Sequence, residues 1–163
     1  MSKVVEVAKK YLGQSEIEGN VFTEATELGR RLKASGHKDG EAWCAYFAES
    51  VFCEAFPEKE TGLRKTFSAG AVKTLDNFRA AGYTIFDKPS IGALVIWQRY
   101  KNGEASWQGH AGIVIELLDG GAFLTIEGNT NTAGSPEGTS VEIKTRSTKR
   151  VNTGLNVYGF VRP

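Results

Sequence analysis

Two observations along this 163-residue chain predict an α+β fold. Up to Ala81, apolar residues recur at helical spacing between glycine stops. From Tyr83 onward the pattern changes to short β-branched or aromatic runs separated by Gly, Asn and Asp. Helices first and strands afterwards place N-terminal helices against a C-terminal, mostly antiparallel β-sheet. The length fits one domain spanning residues 1–163, large enough to bury a core without covalent staples.

The helical half divides at recognisable stops. Ser2 caps a first helix that turns Val4, Val5, Ala8, Tyr11 and Leu12 inward before Gly13 ends it. After the polar loop GQSEIEGN, a second helix is expected from about Thr23 to Ser35, with Phe22, Ala25, Leu28 and Leu32 near helical spacing and Gly36 as its stop. Trp43, Phe47, Val51 and Ala55 recur every four residues, so about Ala42 to Ala55 reads as an amphipathic helix closed by Pro57. A further helix from about Ala69 to Ala81 has Ser68 as N-cap, Val72, Leu75 and Phe78 inward, and Gly82 at its end.

The strand half contains six runs: Tyr83 to Phe86, Ala93 to Gln98, His110 to Leu118, Ala122 to Gly128, Val141 to Ser147 and Val157 to Arg162. Asp119–Gly121 is a hairpin signal between the third and fourth. The stretch Arg99 to Gly109 reads as a loop entering His110, and Asn131 to Ser140 as a long surface loop.

Composition narrows the class. With 20 basic and 19 acidic residues the net charge is +1, so no dominating field draws the chain to nucleic acid or an anionic membrane. Glu6, Lys9 and Lys10 interrupt the N-terminus where a signal peptide needs an apolar run, and no segment reaches the roughly 20 apolar residues of a membrane span. The expectation is synthesis in the cytoplasm without a cleaved signal. Two cysteines are too few for a disulfide framework. Cys44 and Cys53 share the third helix, where nine residues separate their Cα atoms by about 13.5 Å, against a disulfide limit near 7 Å.

Cys44 stands at the head of that helix in EAWCAYFAES. Unpaired N–H groups and the positive end of the helix dipole favour a thiolate there, and the same N–H groups can hold an oxyanion. A free cysteine in an apolar helix is more often core, which is the reading for Cys53. Two histidines can serve as base. His37, in the polar stretch SGHKDGE, reads as solvated, whereas His110 opens the strand GHAGIVIE with Gly112, Val114 and Glu116 on its face. Glu127 and Asn129 in TIEGN are two apart, so an extended strand points both to one face, where one can accept the imidazole N–H. Gly128 between them permits close approach. Trp43, Trp97 and Trp107 are candidates for cleft walls, with buried packing the better reading for Trp43 and Trp97.

The ordered runs WCAYF, GHAGIV and IEGNT resemble the CHAP family of cysteine- and histidine-dependent amidohydrolases and peptidases, papain-like domains that cleave peptidoglycan. YLGQSEIEGNVF, SIGALVIWQ and VYGFVRP are similar to a branch that stands alone or sits in phage lysins. The resemblance implies Cys44 as nucleophile, His110 as base, Glu127 as the orienting group and Asn129 as the fourth polar member. It also implies peptidoglycan as partner. Trp107 and Trp43, as candidate cleft walls, are the expected substrate contacts, and without a signal-peptide pattern action on the wall is expected after release or export by another route. The chain carries no obvious separate wall-binding domain, and a monomer is expected. Some family members have an aspartate-rich calcium loop ahead of the cysteine. Here SGHKDGEAW offers only Asp39 and Glu41, so no required metal or other cofactor is expected. The competing readings are an NlpC-type wall peptidase, whose third polar residue is commonly a histidine, and an inactive binding module of the same fold.

Overall fold

The computed structural model describes residues 2–130 and 138–163; most of the Asn131 to Ser140 segment lies outside the described residues. Helices α1 (Lys3–Lys9), α2 (Glu27–Ala34), α3 (Cys44–Ala55), α4 (Glu60–Thr66) and α5 (Ala71–Ala80) precede strands β1 (Ile85–Phe86), β2 (Leu94–Lys101), β3 (Glu104–Leu117), β4 (Ala122–Thr130), β5 (Ser140–Ser147) and β6 (Gly154–Val161). The strands form one antiparallel sheet in the order β1-β6-β2-β3-β4-β5. The α+β class follows from this order of helices and strands. No helix among the described residues is long and apolar enough to cross a membrane.

α3 is the centre of the helical layer, and it is not the amphipathic helix its four-residue spacing suggested. Every residue from Cys44 to Ala55 is buried except Glu54, because β3 and β4 cover one side while α1, α2, α4 and α5 close the others. A helix enclosed on all sides needs no polar face. Its Glu49 and Ser50 are buried with polar partners: Glu49 meets Arg64, and Ser50 bonds the Tyr46 carbonyl.

The other helices are shorter than their sequence patterns. α2 begins only at Glu27, where the Thr26 hydroxyl accepts the N–H of Gly29 as a true N-cap. Ser2 precedes α1 without a side-chain cap bond, and Leu12 lies beyond the helix on the surface. Gly70, not Ser68, is the N-cap of α5; the Ser68 hydroxyl instead accepts the N–H of Gly70. α4 has no counterpart in the sequence reading, since Leu63 is its sole buried residue and leaves no periodicity to detect.

The sheet has an apolar cluster on each face. Leu94, Ile96, Ala111, Ile113 and Ile126 meet the helices, while Val95, Trp97, Val114, Phe123 and Phe160 form a smaller cluster on the opposite face. The expected alternation along β3 is therefore realised, with Ala111 and Ile113 on the helix side and Val114 on the other. The stretch Arg99 to Gly109 is largely strand rather than loop. Tyr100 pairs with Ala105 and Lys101 with Glu104 across an Asn102-Gly103 turn, both at positive φ (50° and 81°).

Candidate active site

Cys44 is the first residue of α3, and its thiol lies against the His110 imidazole of β3. The pairing of β3 with β4 runs as far as Ile113 and Ile126. Beyond it the N–H of Ala111 is directed at the Cys44 sulfur, as is the N–H of Ala45 in the first helical turn. Burial opposes ionisation of the thiol. The neighbouring His110 charge, its hydrogen bond and these two N–H groups outweigh burial and hold the Cys44 pKa below the ordinary thiol value.

His110 Nε2 donates to Glu127 Oε2 at 2.8 Å, which leaves Nδ1 for the thiol. Burial alone would lower the imidazole pKa, but Cys44 and Glu127 together raise it well above the usual histidine value. The opposed shifts of thiol and imidazole describe a thiolate–imidazolium couple. Trp97, opposite His110 in the β2–β3 register, stacks on the ring at 5.8 Å and 29°. Trp97 is fully buried and thus walls the imidazole from behind rather than lining an open cleft.

Glu127 is completely buried and ionised. Burial favours its neutral form, yet hydrogen bonds from Arg146 and the charges of His110 and Arg146 hold its pKa well below the carboxylate range. Arg146, on β5, reaches both carboxylate oxygens: Nε to Oε1 at 2.7 Å and Nη2 to Oε2 at 2.5 Å. Thr125, two residues before Glu127 on β4, donates its hydroxyl to Oε1 at 2.5 Å. Gly112 makes room for this carboxylate. A Cβ there would stand 2.8 Å from Glu127 Cγ and 3.1 Å from the Trp97 ring.

Asn129 does not share the environment of Glu127. It sits at φ 54° where the β4–β5 register breaks, so the strand is not extended between the two residues. Its Oδ1 accepts the main-chain N–H of Trp43 at 2.9 Å, and its Nδ2 donates to the Gly138 carbonyl and to Asn20 Oδ1. Trp43 itself is fully buried, its indole N–H donating to Glu16 Oε2 at 2.7 Å. Gly128 admits the helix rather than a substrate, since a Cβ there would meet Trp43 and Phe47 below 3 Å.

His37 is buried, not solvated. Phe22 and Tyr46 pack edge-on against its ring, Nε2 bonds the Glu41 carbonyl at 2.9 Å, and Nδ1 has no hydrogen-bond partner among the described residues. Trp107, by contrast, is 82% exposed on the β3 arm of the long hairpin. Cys53 is buried in α3, and burial pushes its thiol up to about 11. Among the described residues no group of three His, Cys, Asp or Glu side chains is arranged to hold a metal ion.

The site features that the sequence did not point to are Arg146, Thr125, Glu16 and the close packing at Gly112. Three of them belong to the surroundings of Glu127, and Glu16 fixes Trp43.

Fold and site together define a papain-like class of domain, with a helix-borne thiol set against a sheet-borne imidazole and a carboxylate behind it. The family model described as the CHAP domain matches residues 36–129, more than half the chain, and the protein belongs to that family of cysteine- and histidine-dependent amidohydrolases. The matched segment runs from just before His37 to Asn129 and stops short of Arg146. No curated protein matches the chain.

Proposed function

We propose that the protein is a peptidoglycan hydrolase that cuts an amide bond through a Cys44 thioester. The observation that carries this reading is the continuous contact from the Cys44 thiol to His110 and from His110 to ionised Glu127. His110 Nδ1 takes the thiol proton while Nε2–H stays on Glu127, which fixes the ring's tautomer and orientation. The thiolate attacks the carbonyl carbon, and the main-chain N–H of Cys44 with a nearby polar group holds the oxyanion. His110 then returns the proton to the leaving nitrogen as the C–N bond breaks, and water, deprotonated by the same imidazole, hydrolyses the thioester.

The third polar group supports this reading over an NlpC-type peptidase with a third histidine. That place is taken by a carboxylate, and His37 is occupied elsewhere in a packed aromatic pocket. An intact thiol–imidazole–carboxylate contact also disfavours an inactive binding module. The substrate is either the N-acetylmuramoyl–L-alanine amide or a peptide bond of the stem or cross-bridge, reached at the wall after release or export.

The test is incubation of wild type, Cys44→Ala and Cys53→Ala with purified Gram-negative and Gram-positive sacculi, followed by mass spectrometry of the released fragments. New amine and carboxyl termini are expected with wild type and Cys53→Ala and not with Cys44→Ala. Wild type that yields no new termini on any sacculus overturns the proposal, and loss in Cys53→Ala alone reassigns the nucleophile.

A further inference from the structure

A buried carboxylate beside a catalytic imidazole faces a difficulty that the thiol–imidazole–carboxylate contact does not resolve. His110 alternates between imidazolium and neutral ring during the proposed cycle, so it supplies a positive charge to Glu127 only part of the time. Glu127 is fully buried, and an uncompensated charge in such a place either takes up a proton or leaves its position. Either event would remove the acceptor for His110 Nε2–H and release the ring.

The structure holds a second, permanent cation at this point. Arg146 grips Glu127 with a two-pronged contact, Nε on Oε1 and Nη2 on Oε2. Glu127 Oε2 is therefore shared between Arg146 Nη2 and His110 Nε2, while Thr125 completes Oε1. Arg146 is itself held: its guanidinium lies 5.0 Å from the centre of the Trp97 ring, the same indole that stacks on His110. One buried tryptophan thus registers both cations against one carboxylate. Among the described residues, Glu127 is faced by Arg146 from β5, His110 from β3 and, through His110, Cys44 from α3, with Glu142 directly opposite it in the β4–β5 register and Lys144 two residues further along β5.

We propose that Arg146 is a positioning residue of the thiol–imidazole site, keeping Glu127 ionised and in place while His110 changes charge. A guanidinium suits this task because it stays protonated at all working pH values and its fork matches both carboxylate oxygens.

The inference rests on the proposed roles of Cys44 and His110, and its test needs no peptidoglycan. The rate of Cys44 alkylation by iodoacetamide is measured against pH, following the Cys44-containing peptide by mass spectrometry so that Cys53 does not contribute. Wild type gives one limb as the thiolate–imidazolium couple forms and a second as the imidazolium loses its proton. In Arg146→Gln, Glu127 takes up a proton or leaves its place, the imidazolium loses its anionic partner, and the second limb moves to lower pH by about one unit. A move to higher pH would mean that Glu127 stays ionised beside His110 without Arg146, and overturns the proposal. Arg146→Lys restores a charge without the fork and moves it less. Limbs of Arg146→Gln that superpose on those of wild type, with or without a lower melting temperature, overturn the proposal and reduce Arg146 to a tie between β5 and β4. If Arg146→Gln does not fold, Arg146→Lys carries the test, and superposition of its limbs on wild type overturns the proposal equally. Failure of wild type to cleave sacculi counts against the hydrolase reading alone, because alkylation reports the couple whatever the substrate.

Discussion

Asn129 Oδ1 accepts the N–H of Trp43, so the end of β4 is fastened to the residue immediately ahead of Cys44 across 86 positions of sequence. The contact serves as a cap in place of the missing N-cap side chain of α3. It orients the helix start and with it the thiol. Asn129→Ala leaves the Trp43 N–H without its partner at a cost of about 1–3 kcal/mol. The left-handed backbone at Asn129 adds roughly 1 kcal/mol for alanine. Asn129→Gly removes only the second penalty. The expected result is a melting temperature in the order wild type, Asn129→Gly, Asn129→Ala, with turnover reduced in both variants. Equal turnover in all three proteins would show that the cap does not position Cys44.

Gly112 is required by the bulk of its neighbours. Its Cβ would press on Glu127 Cγ and on Trp97, the two groups that hold His110. Gly112→Ala is expected to destabilise the fold by about 1–3 kcal/mol through overpacking and to lower turnover by displacing the carboxylate. Thermal melts and steady-state rates on solubilised sacculi check both parts. A crystal structure of the variant with the His110–Glu127 bond unchanged and full activity would contradict the expectation.

The readable parts of this molecule are those whose signal is local. Helix α3, the strand carrying His110 and the strand carrying Glu127 each announce themselves by apolar spacing, and the family motifs fall on them. Arg146 carries no such mark. It stands between Thr145 and Ser147 on a strand with no chemical motif of its own, and only the β4–β5 register brings it to Glu127, 19 positions away. His37 misleads for a related reason. Its sequence neighbours are polar, but Phe22 and Tyr46 arrive from elsewhere to bury it. The β2–β3 hairpin was legible in principle, since Asn102-Gly103 is a hairpin turn signal, but the polar residues around it hide the strands.

Trp107 stands on that hairpin three residues before His110, with little of its ring in contact with the protein. An indole that contributes almost nothing to packing can be removed without harm to the fold. Trp107→Ala is expected to leave stability within about 0.5 kcal/mol of wild type. If the ring stacks on the substrate, KM rises by about three- to tenfold, corresponding to roughly 1 kcal/mol of stacking, with kcat little changed. Unchanged KM and kcat on intact sacculi and on soluble fragments alike would exclude Trp107 from substrate contact.

Glu49 links stability to pH from inside the fold. It lies buried in α3, and burial raises its pKa from the ordinary 4.5 to about 7, with the Arg64 ion pair at 3.0 Å opposing the rise. The folded state therefore binds this proton more tightly than the unfolded state. The stabilisation is fully present below the ordinary carboxylate pKa and is lost as pH rises through about 7, where a buried charge must form. Glu49→Gln keeps the shape and removes the charge, while Arg64 retains Glu60, the Ala34 carbonyl and Ser35 as partners. Compared with wild type, Glu49→Gln should differ little in denaturant melts near the ordinary carboxylate pKa. Above the raised value it should gain stability on the order of 2 kcal/mol. A gain of the same size under both conditions would mean that the substitution acts through packing and that Glu49 does not titrate in this window.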